Sequence, residues 1–76
     1  MAPGAYVLYC TEIGAQTTSA KLVRQVEGVK DAYPLDGVYD GIAEITADNK
    51  DGLEEIAKNI RKVDNVKSVV DPMFII

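Results

Sequence analysis

Val26-Glu27-Gly28-Val29-Lys30 returns 37 residues later as Val63-Asp64-Asn65-Val66-Lys67. The match extends outward in the same register: Ala20 falls on Ala57, Val23 on Ile60, Leu8 on Ile45 and Ala5 on Ile42. Gly28 and Asn65 occupy equivalent places, and glycine and asparagine are the two residues best able to leave a helix through a left-handed conformation. Each copy therefore reads as a strand, a helix that ends at Gly28 or Asn65, and a second strand.

The residues between these points fit that plan. Residues 5–11, Ala-Tyr-Val-Leu-Tyr-Cys-Thr, are almost continuously apolar and rich in strand formers, as in a central strand covered on both faces. Gly14 breaks the run. Over residues 15–26 the spacing becomes helical, with Ala15, Ser19, Leu22, Val23 and Val26 on one face. Residues 29–36 form a second strand that contains Pro34, which has no amide for a ladder and so belongs at a sheet edge. Asp36-Gly37 is a turn signal. A third strand over residues 39–47 puts Gly41, Ala43, Ile45 and Ala47 on one face and Ile42, Glu44 and Thr46 on the other. Asp48 is expected to cap a second helix, with the stripe Leu53, Ile56, Ala57, Ile60 and Val63. A last strand runs from residue 66 towards 75, with Pro72 marking an edge or bulge. Two right-handed crossovers joined by a hairpin give an α/β (α+β) sandwich of β-α-β-β-α-β order. It is the ferredoxin-like plan, an antiparallel sheet in strand order 4-1-3-2, and both proline-bearing strands fall at its edges.

The 76 residues, 8.2 kDa, make a single domain over 1–76. A chain this short buries only about 60% of its unfolded surface, so help from a disulfide, a metal or a partner is expected. Cys10 is the only cysteine and histidine is absent, so an intrachain disulfide and a Cys/His zinc site are both excluded. No metal and no cofactor are expected. Self-association remains. Both parities of residues 5–10 are apolar, and a solvated sheet face would have alternated, so a second copy is expected to cover the face away from the helices. The net charge of −4, with Lys and Arg interleaved among acids, speaks against direct nucleic-acid binding. Nothing approaches a membrane span, and a cytoplasmic protein with a reduced thiol is the simplest reading.

Catalytic groups are scarce. No histidine is present to shuttle protons, Cys10 falls inside a strand, and Asp36 and Asp40 read first as solvated turn carboxylates. The best polar cluster for a ligand lies around the hairpin and the start of the second helix. Gly37 permits close backbone approach, Tyr39 offers a ring and hydroxyl, and Asp40 offers a carboxylate. Thr46 and Asp48 lie beside helix amides, and the whole set could hold a zwitterion. Gly37–Asp40 and Thr46–Asp48 sit at opposite ends of the third strand, so neighbouring subunits rather than one chain would join them.

At these same residues the chain resembles the ligand-sensing and assembly (RAM) domain of the Lrp/AsnC transcription regulators. The likeness rests on Ala5-Tyr6-Val7-Leu8, Thr11-Glu12-Ile13-Gly14, Val26-Glu27-Gly28-Val29-Lys30, Gly37-Val38-Tyr39-Asp40 and the spacing to Val63-Asp64-Asn65-Val66-Lys67-Ser68. It implies a non-enzymatic module for sensing small molecules, above all amino acids, and for oligomerisation. It further implies a homodimer made through the sheets, a ring of dimers, and an effector pocket that includes Gly37, Tyr39 and Asp40, with Thr46 and Asp48 in an adjoining loop. Only four residues precede the first strand, so the resemblance is to a stand-alone domain without the family's helix-turn-helix. Such a domain could join full-length regulators through the shared interface and modulate them. A pure protein-interaction adaptor and a small ferredoxin-like dimeric enzyme using Asp40 with Tyr39 are the alternative readings.

Overall fold

The computed structural model describes residues 4–70 and 72–75, and the backbone alone at 74 and 75. Seven elements follow in the order β1 (Gly4–Thr11), α1 (Gln16–Val23), β2 (Val29–Pro34), β3 (Gly41–Thr46), α2 (Lys50–Arg61), β4 (Val66–Val69) and β5 (Met73–Ile75). The antiparallel sheet runs β2-β3-β1-β4, which is the 4-1-3-2 arrangement read from the other edge, with β5 also on β1. Pro34 closes the edge strand β2 opposite Gly41.

Strand alternation decides which side chains reach the helices. Ala5, Val7 and Tyr9 of β1 are fully buried beneath them, as are Ala43 and Ile45 of β3 and Ala32 of β2. Val23 of α1 and Leu53 and Ile60 of α2 complete that layer from above, with Ile56 and Ala57 nearly buried beside them. The apolar stripe expected on the second helix is therefore the one that packs. On α1 the buried residues are Ser19, Ala20 and Val23, while Leu22 is only half-buried, as is Val26, which lies beyond the end of the regular helix at Val23.

The repeat is visible in the backbone. Gly28 has φ +92° and Asn65 has φ +76°, and both give the chain its left-handed exit. The two sites are not equally forgiving: a Cβ on Gly28 would collide with the Ile56 side chain, so packing as well as dihedral demands glycine there. Tyr9 and Gly41 face each other in the ladder, and the Tyr9 ring lies across the bare Cα of Gly41, where a Cβ would strike both ring and hydroxyl.

Several boundaries differ from those expected. The cap of α2 is Asn49, not Asp48: Asn49 is extended (φ −154°, ψ 176°), and its Oδ1 accepts from the Gly52 amide at 2.8 Å. One residue later in the chain, the side chain can reach the third amide of the helix, which Asp48 cannot. Asn49→Ala should cost about 1 kcal/mol, read as a lower urea midpoint at unchanged slope; an unchanged midpoint would show the cap bond to be idle. The single last strand is two, since Pro72 interrupts the pairing and β5 resumes on β1 opposite Gly4–Tyr6. The second and third strands end earlier and begin later than read, because residues 35–40 fold over the end of β1. Among the described residues no helix is long and apolar enough to cross a membrane, and no group of three or more His, Cys, Asp or Glu residues could hold a metal.

Candidate functional site

Two surfaces carry the residues singled out above. The first is the sheet face turned away from the helices. Tyr6, Leu8 and Cys10 of β1 project there, as does Ile42, the ladder partner of Leu8. Tyr33, paired with Ile42, and Met73, paired with Tyr6, extend the patch and stay 49% and 46% exposed. Tyr6, Leu8, Ile42, Tyr33 and Met73 are large apolar or aromatic groups, contiguous by strand register and turned away from the helices, with Cys10 at their border.

A polar border lies along β2. The Tyr33 hydroxyl donates to Asp31 Oδ2 at 2.8 Å, and Arg24 Nε reaches Asp31 Oδ1 at 3.2 Å and the Ala32 carbonyl at 2.9 Å. Lys30 Nζ stands 3.6 Å from Glu44 Oε2. The Tyr33 hydroxyl, the Ala32 amide and Arg24 hold the Asp31 carboxyl below its ordinary range, and the same bond raises Tyr33. A depressed carboxyl stabilises the fold above its unfolded pKa, and that contribution disappears as pH falls through the lowered folded value. Tyr33→Phe removes the largest of these causes, so the Asp31 carboxyl should titrate at higher pH, read directly from its side-chain NMR shifts. An unmoved midpoint would show that Arg24 and the Ala32 amide set it alone.

The second surface is the loop between β2 and β3. Gly37 is exposed with φ +156°, Val38 is 88% exposed, and Tyr39 and Asp40 are half-buried. Asp40 fastens this loop to β1 and α1. Its amide donates to the Tyr9 carbonyl (3.0 Å), its Oδ2 accepts from the Thr11 amide (2.8 Å), and its Oδ1 accepts from Gln16 Nε2 (3.2 Å). The Cys10 thiol sits 3.9 Å from the Val38 carbonyl and packs beneath the loop. Gln16 and Thr11 gave no signal as site residues in the sequence, since a contact spanning 24 or 29 residues leaves no periodic trace.

Thr46 and Asp48 are elsewhere. They line an open groove of about 620 Å³ with Gly28, Glu27, Asn49 and Ile56, where the Thr46 amide donates to the Gly28 carbonyl at 2.9 Å. Between this groove and Asp40 lies the whole of β3, a span of roughly 17 Å. One chain thus keeps the two halves of the expected site apart. The amides at the start of α2 are also less open than expected, since Asn49 already engages Gly52. Tyr9 is fully buried and its hydroxyl has no partner among the described residues; burial raises its pKa, and Arg24 only partly offsets this.

Neither a family model nor a curated protein matches this chain. Solved structures do. A hypothetical protein, PHS023, from Pyrococcus horikoshii is 27% identical over 97% of this chain and 89% of its own, with a TM-score of 0.80. FFRP-DM1 is also 27% identical, over 97% of this chain and 99% of its own, with a TM-score of 0.81. AsnC of E. coli shares the fold at a TM-score of 0.81 and 16% identity, and this chain, matched over 97% of its length, spans 50% of that protein.

Proposed function

We propose that this chain is a ligand-sensing and assembly domain of the Lrp/AsnC regulator type, working without catalysis as a self-associating module that binds an amino acid or similar small metabolite. The observation that carries this reading is the apolar sheet face of Tyr6, Leu8 and Ile42, turned away from the helices. A second copy packed sheet to sheet removes this face from water and gives a chain of this size the additional buried area it needs. Further contacts between such dimers would bring the Gly37–Asp40 loop of one copy towards the Thr46–Asp48 groove of another. The five residues then form one site only in the assembly, a ring of dimers. Joining full-length regulators through the same sheet face would let the ligand alter their assembly as well.

The face between sheets fixes the dimer; the loops fix the ligand. Light scattering should give about 16 kDa for two copies of the 8.2 kDa chain, or roughly 66 or 82 kDa for four or five dimers. A folded monomer at ~10 μM, far above the Kd of a stable dimer, would rule the reading out. Calorimetry against each of the twenty amino acids, at concentrations that keep the oligomer intact, should give saturable heat for at least one. No binding down to millimolar affinity would leave assembly as the whole function.

A further inference from the structure

We propose that Gln16 completes the ligand site as the residue that, with Asp40, selects a primary ammonium group. This inference rests on the amino-acid reading above and names which end of the ligand the Gly37–Asp40 loop takes. The starting point is the charge at Asp40. Its half-buried carboxylate accepts from the Thr11 amide and from Gln16 Nε2, both neutral donors. The ion pairs described elsewhere, Arg24 with Asp31 and Lys30 with Glu44, leave it out, and no cation touches it among the described residues. A carboxylate offers about four lone-pair positions and here uses two, so it retains both its charge and room for further donors.

Gln16 sets the other half of the chemistry. Beside a carboxylate a glutamine amide must present its NH2, because turning the carbonyl inward would set acceptor against acceptor. The 3.2 Å bond from Nε2 to Asp40 Oδ1 therefore fixes Oε1 as the outward group, and no donor among the described residues reaches it. Asp40 and the outward Gln16 Oε1 together present one negative charge and two kinds of acceptor oxygen side by side, with a single spare N–H of the Gln16 amide beside them. Such a pair fits an ammonium with three donors and rejects a carboxylate or a ligand whose amine has been replaced by hydrogen. Gln16 opens α1 and Asp40 closes the β2–β3 loop, so the pair also joins the two segments that would have to adjust together around a ligand.

The test compares the wild-type oligomer with Gln16→Leu and Gln16→Glu by calorimetry. The probes are the twenty amino acids and, for each that binds, the matching carboxylic acid without its amine. Gln16→Leu should weaken binding of the amino acid at least tenfold, with the oligomer mass unchanged and the protein still cooperatively folded. Gln16→Glu should bind as well as wild type or better, because it keeps an outward oxygen and adds charge facing the ammonium. A role confined to holding Asp40 predicts the opposite, since an ionised carboxylate in place of the Gln16 amide cannot donate to Asp40 and would repel it. Equal affinity of wild type and Gln16→Leu, weaker binding by Gln16→Glu, or retained binding of the deaminated acids would each overturn the assignment while leaving the amino-acid reading standing. Absence of binding by the wild type to every probe would remove the reading itself, and this assignment with it.

Discussion

Gly41→Ala is expected to cost about 3 kcal/mol or more, a large share of the roughly 5–15 kcal/mol that holds a domain together. The new Cβ would have to occupy space held by the Tyr9 ring, and Tyr9 is fully buried between Val7, Ala43 and the helices, with no open side to swing towards. The measurement is a urea titration, in which the midpoint should fall steeply or the protein should not fold at all. Tyr9→Leu in the same background should recover part of the loss, and the coupling between the two positions should exceed about 1 kcal/mol because they share one volume. A Gly41→Ala protein with the wild-type midpoint would mean that the ring lies elsewhere. Purely additive effects of the two substitutions would say the same.

Leu8→Asp should give a folded monomer. Leu8 lies beside Ile42 on the sheet face turned away from the helices, so a carboxylate there stays solvated in the single chain. In a sheet-to-sheet dimer it would be buried without a partner charge at a cost of several kcal/mol, enough to raise the dissociation constant by a factor of about a hundred or more. Scattering should fall from the dimer mass to 8.2 kDa while the circular dichroism of sheet and helix persists. An unfolded product would place Leu8 in the core, against the register of β1. An intact dimer would move the interface off this face.

The order of elements was legible because it depends on periods that every residue of an element repeats. The stripe Leu53, Ile56, Ala57, Ile60 and Val63 and the alternation Gly41, Ala43, Ile45 and Ala47 each carry several votes; all but the terminal Val63 and Ala47, which are half-buried, end up buried. The left-handed exits at Gly28 and Asn65 were legible for a different reason, since few residue types tolerate that backbone. The cap of α2 turned on one position, and neighbouring Asp48 and Asn49 are both good caps, so only geometry could choose Asn49. The break at Pro72 was visible as a proline but not as a strand that pairs again beyond it. Of the candidate site, the separation of Asp40 from Thr46 and Asp48 followed from strand length. The bonds that tie Asp40 to Thr11 and Gln16 did not, because they depend on how residues 35–40 fold over the end of β1.

The place of β1 in the sheet also has a consequence for synthesis on the ribosome. This strand pairs with β3 on one side and with β4 and β5 on the other, and it supplies apolar residues to both layers. Its second edge must wait for the roughly 55 residues between Thr11 and Val66, about 3 to 11 s at ordinary translation rates. During that interval the nascent chain carries a sticky strand with an unsatisfied edge. In a polysome, where many nascent copies lie close together, the segment proposed to join two finished subunits is therefore also the one most exposed to premature association between unfinished ones.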